Sequence, residues 1–73
     1  MNTTGVSAAA VARWSHCFQS GQLAESEALA QALTVAYPAA AKAWQLLGMS
    51  RYAQNDLHAA RDHLRRALSL ERR

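Results

Sequence analysis

Three histidines, one cysteine and five carboxylates are the side chains of this 73-residue chain suited to metal binding, acid–base work or nucleophilic attack. Their spacing gives that chemistry no foothold. His58 and His63 lie five positions apart, about 140° around a helix, so they cannot chelate one ion together. His16 and Cys17 are adjacent and point in different directions, and Cys17 reads as a small core residue. Glu25 and Glu27 sit about 200° apart on a helical wheel and read as charges suited to a helix N-terminus. There is no glycine-rich phosphate loop and no zinc-ligand spacing. The expectation is a chain with no catalytic residues, no metal and no cofactor.

The arginines offer a second possible chemistry. Net charge is +3, and Arg61, Arg65, Arg66, Arg72 and Arg73 crowd the C-terminal end, countered by Asp62 and Glu71. Arg61 and Arg65 share a helical face and could contact phosphates. Asp62 can pair with Arg65 or Arg66, however, and cations also suit a helix C-terminus. A solvated basic face is the simpler reading, so nucleic acid is not the expected partner. No stretch reaches the roughly 18 to 20 apolar residues of a membrane span, and "MNTTGVSAAAVARW" lacks the basic start of a signal peptide. The lone cysteine excludes an intramolecular disulfide and fits a reducing compartment. A cytoplasmic protein without a membrane partner is expected. Its stability should be marginal, because a chain this short buries only about 60% of its unfolded surface.

Composition and punctuation predict four helices. Half the residues (51%) are hydrophobic, many of them alanine, with one proline and few β-branched side chains. The first helix runs from about Ser7 to Ser20, with Ala10, Trp14, Cys17 and Phe18 near one face and Gly21 as its stop. The second spans about Leu23 to Ala36 and carries Leu23, Leu29, Ala30 and Leu33; Pro38 ends it. The third spans Ala41 to Gln54. Asn55 can take the left-handed cap, and Asp56 can N-cap the fourth helix, Leu57 to about Arg72. That helix has the apolar stripe Leu57, Ala60, Leu64, Ala67 and Leu68. Connections this short require sequential helices to pack antiparallel.

The punctuation also repeats. Gly21 and Asn55, Leu23 and Leu57, and Phe18 and Tyr52 are each 34 residues apart. Within Ala41 to Arg73, Trp44, Leu47 and Gly48 form Trp-x-x-Leu-Gly, followed by small residues at Ala60 and Ala67 and by Leu64 between them. This stretch resembles the tetratricopeptide repeat, a helix–turn–helix unit of 34 residues. Ser7 to Ala40 resembles it less closely, through "GQLAESEAL", Pro38 and Ser26 at the helix crossing. Arg13 and Trp14 stand where the family has Leu and Gly, Arg51 where it has an aromatic, and Arg72 where it has proline.

The resemblance implies an all-α fold of two tandem repeats, four antiparallel helices in a short right-handed solenoid. Residues 1–6 form a flexible N-terminus, residues 7–40 the first repeat and residues 41–73 the second. Trp44 and Leu64 are expected in the intra-repeat seam, where Gly48, Ala60 and Ala67 permit close approach. The opposite face of the third helix carries Leu46 and Met49. Leu46 and Met49 there can either pack on the first helix or a following repeat, or help line a ligand groove.

In this family the first helices of successive repeats line a groove for an extended or helical peptide. By position, Ser15, Phe18, Gln19, Lys42, Gln45, Met49 and Tyr52 would line it here. Without a third repeat or a capping helix, Leu68 and Leu70 would lack a neighbour and become self-association candidates. The implied function is a non-catalytic scaffold that binds a protein or peptide, or self-associates, as a homo-oligomer or part of a longer chain. The alternative is an accessory domain for substrate positioning or dimerisation, ahead of a bacterial sulfotransferase, glycosyltransferase or hydroxylase.

Overall fold

A computed structural model describes residues 6–72. The expected flexible segment 1–6 therefore lies outside the described residues, apart from Val6, as does Arg73 of the expected second repeat. The described residues form four α-helices and no strand: α1 (Ala8–Gln19), α2 (Leu23–Ala36), α3 (Ala41–Ala53) and α4 (Leu57–Glu71). Each packs chiefly on its neighbours in sequence, α1 on α2, α2 on α3 and α3 on α4. The elements fall within one residue of the expected boundaries.

Local chemistry sets those boundaries. Ser7 caps α1 by accepting from the Ala10 amide at 3.1 Å, and Asp56 caps α4 by accepting from the Ala59 amide at 3.3 Å. Gly21 (φ 82°) and Asn55 (φ 68°) both take the left-handed conformation. After α1, the Gly21 amide donates to the Phe18 carbonyl and the Gln22 amide to Cys17. After α3, the Asn55 amide donates to Tyr52 and the Asp56 amide to Arg51. Both are Schellman turns, with crossed 6→1 and 5→2 bonds, and they recur at the 34-residue shift seen in the sequence.

The core is built around a residue that departs from the repeat pattern. Trp14 is buried and clusters with Ala30, Leu46 and Leu47, while Val11, Phe18, Leu33 and Trp44 pack around them. Phe18 stacks on Trp14 with ring centroids 4.6 Å apart. The indole Nε1–H of Trp14 donates to Ser50 Oγ at 2.8 Å. Ser50 Oγ lies 3.2 Å from Ser26 Oγ, and both serines are completely closed to solvent. Their hydroxyls also reach the Leu46 and Leu23 carbonyls respectively. This polar thread joins α1, α2 and α3. Of the two open roles for Leu46, the structure selects the first, because Leu46 is buried against Trp14.

The α3–α4 seam depends on a missing side chain. A Cβ built at Gly48 would come within 2.7 Å of Leu64 Cγ and 3.3 Å of the Ala60 carbonyl oxygen. Trp44 is only half-buried, at the edge of this seam. Its Nε1–H donates to the Pro38 carbonyl at 2.9 Å, His63 tilts against its ring, and the Arg66 guanidinium lies 5.4 Å from the ring centroid.

Two measurements test these seams. Gly48→Ala should lower stability by about 1–3 kcal/mol in a urea titration, despite the better helix propensity of alanine. Adding Leu64→Ala should recover part of that loss. Ser50→Ala should cost about 1–3 kcal/mol by leaving the buried Trp14 Nε1–H without its acceptor, whereas a solvent-facing Ser69→Ala should stay within about 0.5 kcal/mol.

Candidate functional site

The fourth helix carries more apolar surface than its partner covers. Ala60 and Ala67 are buried, and His63 and Leu70 are half-buried on the same side of the helix. Leu57, Leu64 and Leu68 continue the apolar arc beyond that side, at i, i+7 and i+11. They remain 54%, 38% and 51% exposed. With Tyr52 at the end of α3, Ala60 beneath and Arg61 and Arg65 along one rim, they line an open groove of about 430 Å³. The stripe expected on α4 is thus divided: its alanines close the seam and its leucines face outward. Leu64 does both, covering Gly48 with one side and lining the groove with the other.

The sequence candidates fall in different places. Tyr52 is well exposed and, with Leu68, lines the groove. Leu70 lies outside the lining and is half-buried. Met49, Lys42 and Gln19 are exposed, and Ser15 and Gln45 are half-buried. Phe18 is committed to its stack with Trp14. A second depression of about 480 Å³ lies between α1 and α2, beside Arg13, His16, Cys17 and Glu25, and a smaller one adjoins it at Ala10 and Leu33. Ser15, Phe18, Gln19, Lys42, Gln45 and Met49 line none of these three hollows. Sequence reasoning missed Leu57 and Leu64 because it assigned them to the inward stripe. The signal was an apolar arc wider than one helix can cover.

A charged clasp closes the turn end of the molecule. Arg51 Nη2 lies 2.9 Å from Glu27 Oε2, and Nη1 lies 3.5 Å from Asp56 Oδ2. Gln54 Nε2 donates to Glu27 Oε1 at 2.6 Å. Glu27 therefore serves α3 rather than its own helix N-terminus, which corrects the reading of Glu27 as a dipole-suited charge. The pairing expected of Asp62 with Arg65 or Arg66 is not among the ion pairs of the described residues. No group of three or more His, Cys, Asp or Glu side chains converges among the described residues. No helix is long and apolar enough to cross a membrane among them either.

His63 is the titrating group tied to this clasp. Partial burial lowers its pKa below the ordinary 6.5, and the Arg51 charge pushes the same way. Asp62, Asp56 and Glu27 pull it upward but do not cancel the shift. Comparison with protein-family models, curated proteins and solved structures finds no match to this chain.

Because the folded pKa of His63 is depressed, the unfolded chain binds the proton more tightly. Stability should hold above about pH 7 and fall as pH drops from the ordinary histidine value through the folded one. Urea titrations between roughly pH 7 and 5.5 should show this decline, and His63→Gln should flatten it. In Arg51→Met, NMR titration should find the His63 pKa moved upward.

Proposed function

We propose that this chain is a non-catalytic protein-interaction module of the tetratricopeptide type, which takes a helix of a partner protein in its α3–α4 groove. The observation that carries this reading is the outward apolar surface of Tyr52, Leu57, Leu64 and Leu68. Those side chains are 66%, 54%, 38% and 51% exposed and contiguous around one hollow. Contiguous apolar surface rimmed by polar groups is characteristic of protein contact sites. The paired Schellman turns, the 34-residue shift and the close approach at Gly48 support the repeat assignment. The free, half-buried thiol of Cys17 supports a reducing, cytoplasmic setting.

A photo-crosslinking residue introduced at Leu68 or at Met49 of the intact chain tests the site in cells. Adducts to one defined polypeptide are expected from position 68 and not from position 49. Adding Tyr52→Asp to the position-68 protein should cut the adduct about tenfold or more, the scale of a damaged contact centre. Equal adducts from both positions, or none from position 68 in a folded protein, would refute the proposal.

A further inference from the structure

The 34-residue shift maps a covered face onto a bare one. In the first half of the chain, α3 lies against a surface that includes Ser26, Glu27 and Ala30, and Thr34 is buried one turn further along α2. Ser26 and Ala30 are fully closed and Thr34 is 7% exposed. The polar matches across this contact are the Ser26–Ser50 pair and the Glu27 carboxylate, which takes Arg51 and Gln54. Thirty-four residues on, the same positions of α4 are Ala60, Arg61, Leu64 and Leu68. Nothing in the described chain covers Leu64 and Leu68 as fully as Ala30 and Thr34 are covered. The internal correspondence therefore identifies the shape of the occupant: a helix lying as α3 lies on the first half.

The substitutions between the two faces define its chemistry. Glu27 becomes Arg61 and Gln31 becomes Arg65, so the charge that faced Arg51 is reversed and doubled. Ala30 becomes Leu64 and Thr34 becomes Leu68, so the host side is bulkier and the guest must be smaller. Ser26 becomes Ala60, which removes the hydroxyl that Ser50 met. Resting on the interaction-module reading, we infer that the groove docks an acidic, alanine-rich amphipathic helix of another polypeptide. Its carboxylate stands opposite Arg61 and Arg65, where α3 has Arg51, and its small residues replace Leu46 and Leu47.

A second copy of this chain fits poorly. Its α3 would bring Arg51 against Arg61, its α1 carries no carboxylate, and its Glu27 is already engaged by Arg51 and Gln54. Symmetric pairing of two α4 faces would oppose the arginine rims to each other, and like charges across an interface disfavour association.

Two capped peptides of the Ala41–Gln54 sequence, both carrying Leu46→Ala and Leu47→Ala, provide the probe. One also carries Arg51→Glu and the other keeps Arg51. Binding is followed by backbone amide NMR shifts of the whole chain. The peptide carrying Arg51→Glu should bind at least about fivefold more tightly, the scale of one exposed charge pair turned from repulsive to attractive. The shifts should centre on α4, and Arg61→Glu/Arg65→Glu should reverse the preference. Equal affinities that both vanish in Leu68→Glu would overturn the acidic partner and leave the interaction module standing. Binding indifferent to Leu68→Glu, or absent at millimolar peptide, would overturn both. A concentration-dependent dimer abolished by Leu68→Glu would make a second copy the occupant and overturn the inference.

Discussion

The buried oxygen of Ser50 is the point on which the two halves of the chain depend. It accepts the indole N–H of Trp14 from α1, approaches the Ser26 hydroxyl of α2, and donates to the Leu46 carbonyl of its own helix. With both serines closed to solvent, water cannot replace a lost partner, so the network constrains helix position as well as contributing energy. Small hydroxyl side chains also let α2 and α3 approach closely. A larger residue at either position would separate the helices that enclose Trp14.

Around that point the molecule is held by contacts of decreasing depth. The apolar cluster of Trp14, Ala30, Leu46 and Leu47 surrounds the network. Outside it, Gly48 brings α4 down on α3, and Leu64 fills the space a methyl group would need. At the turn end, Arg51 ties α3 to Glu27 of α2 and to the cap residue Asp56. This clasp is partly exposed, so its worth is modest and screened by salt. Its geometric effect is larger, since it links the turn that repeats at Asn55 to the helix before it.

The core closes unevenly as a result. Five buried alanines and one buried glycine keep the helices near one another, and little bulk is enclosed. The leucines that could enlarge the core stand instead on the open side of α4. In the first half the equivalent positions are small and covered; in the second they are large and bare. That asymmetry between similar halves, rather than any catalytic grouping, is the most specific feature of the surface.

Much of the fold was legible from neighbouring residues alone. Ser7, Gly21, Asn55 and Asp56 act within one turn of the backbone, so their caps and left-handed turns could be read without knowing what packs where. The 34-residue spacing likewise needed only comparison of the chain with itself. The role of Trp14 could not be read this way, because its acceptor lies on α3 and its position breaks the repeat pattern. Arg51 had no sequence explanation for the same reason: Glu27 is remote in the chain and meets it only after α2 and α3 pack. The candidate surface was half legible. Tyr52 and Leu68 stood out, whereas Leu57 and Leu64 looked like core, since periodicity identifies an apolar arc but not how much of it a neighbour covers. The sequence by itself determined the helices, their turns and their repeat, which depend on short-range hydrogen bonds and backbone sterics. Tertiary packing alone decided which tryptophan anchors the core and which leucines face outward, because burial is a property of pairs of helices.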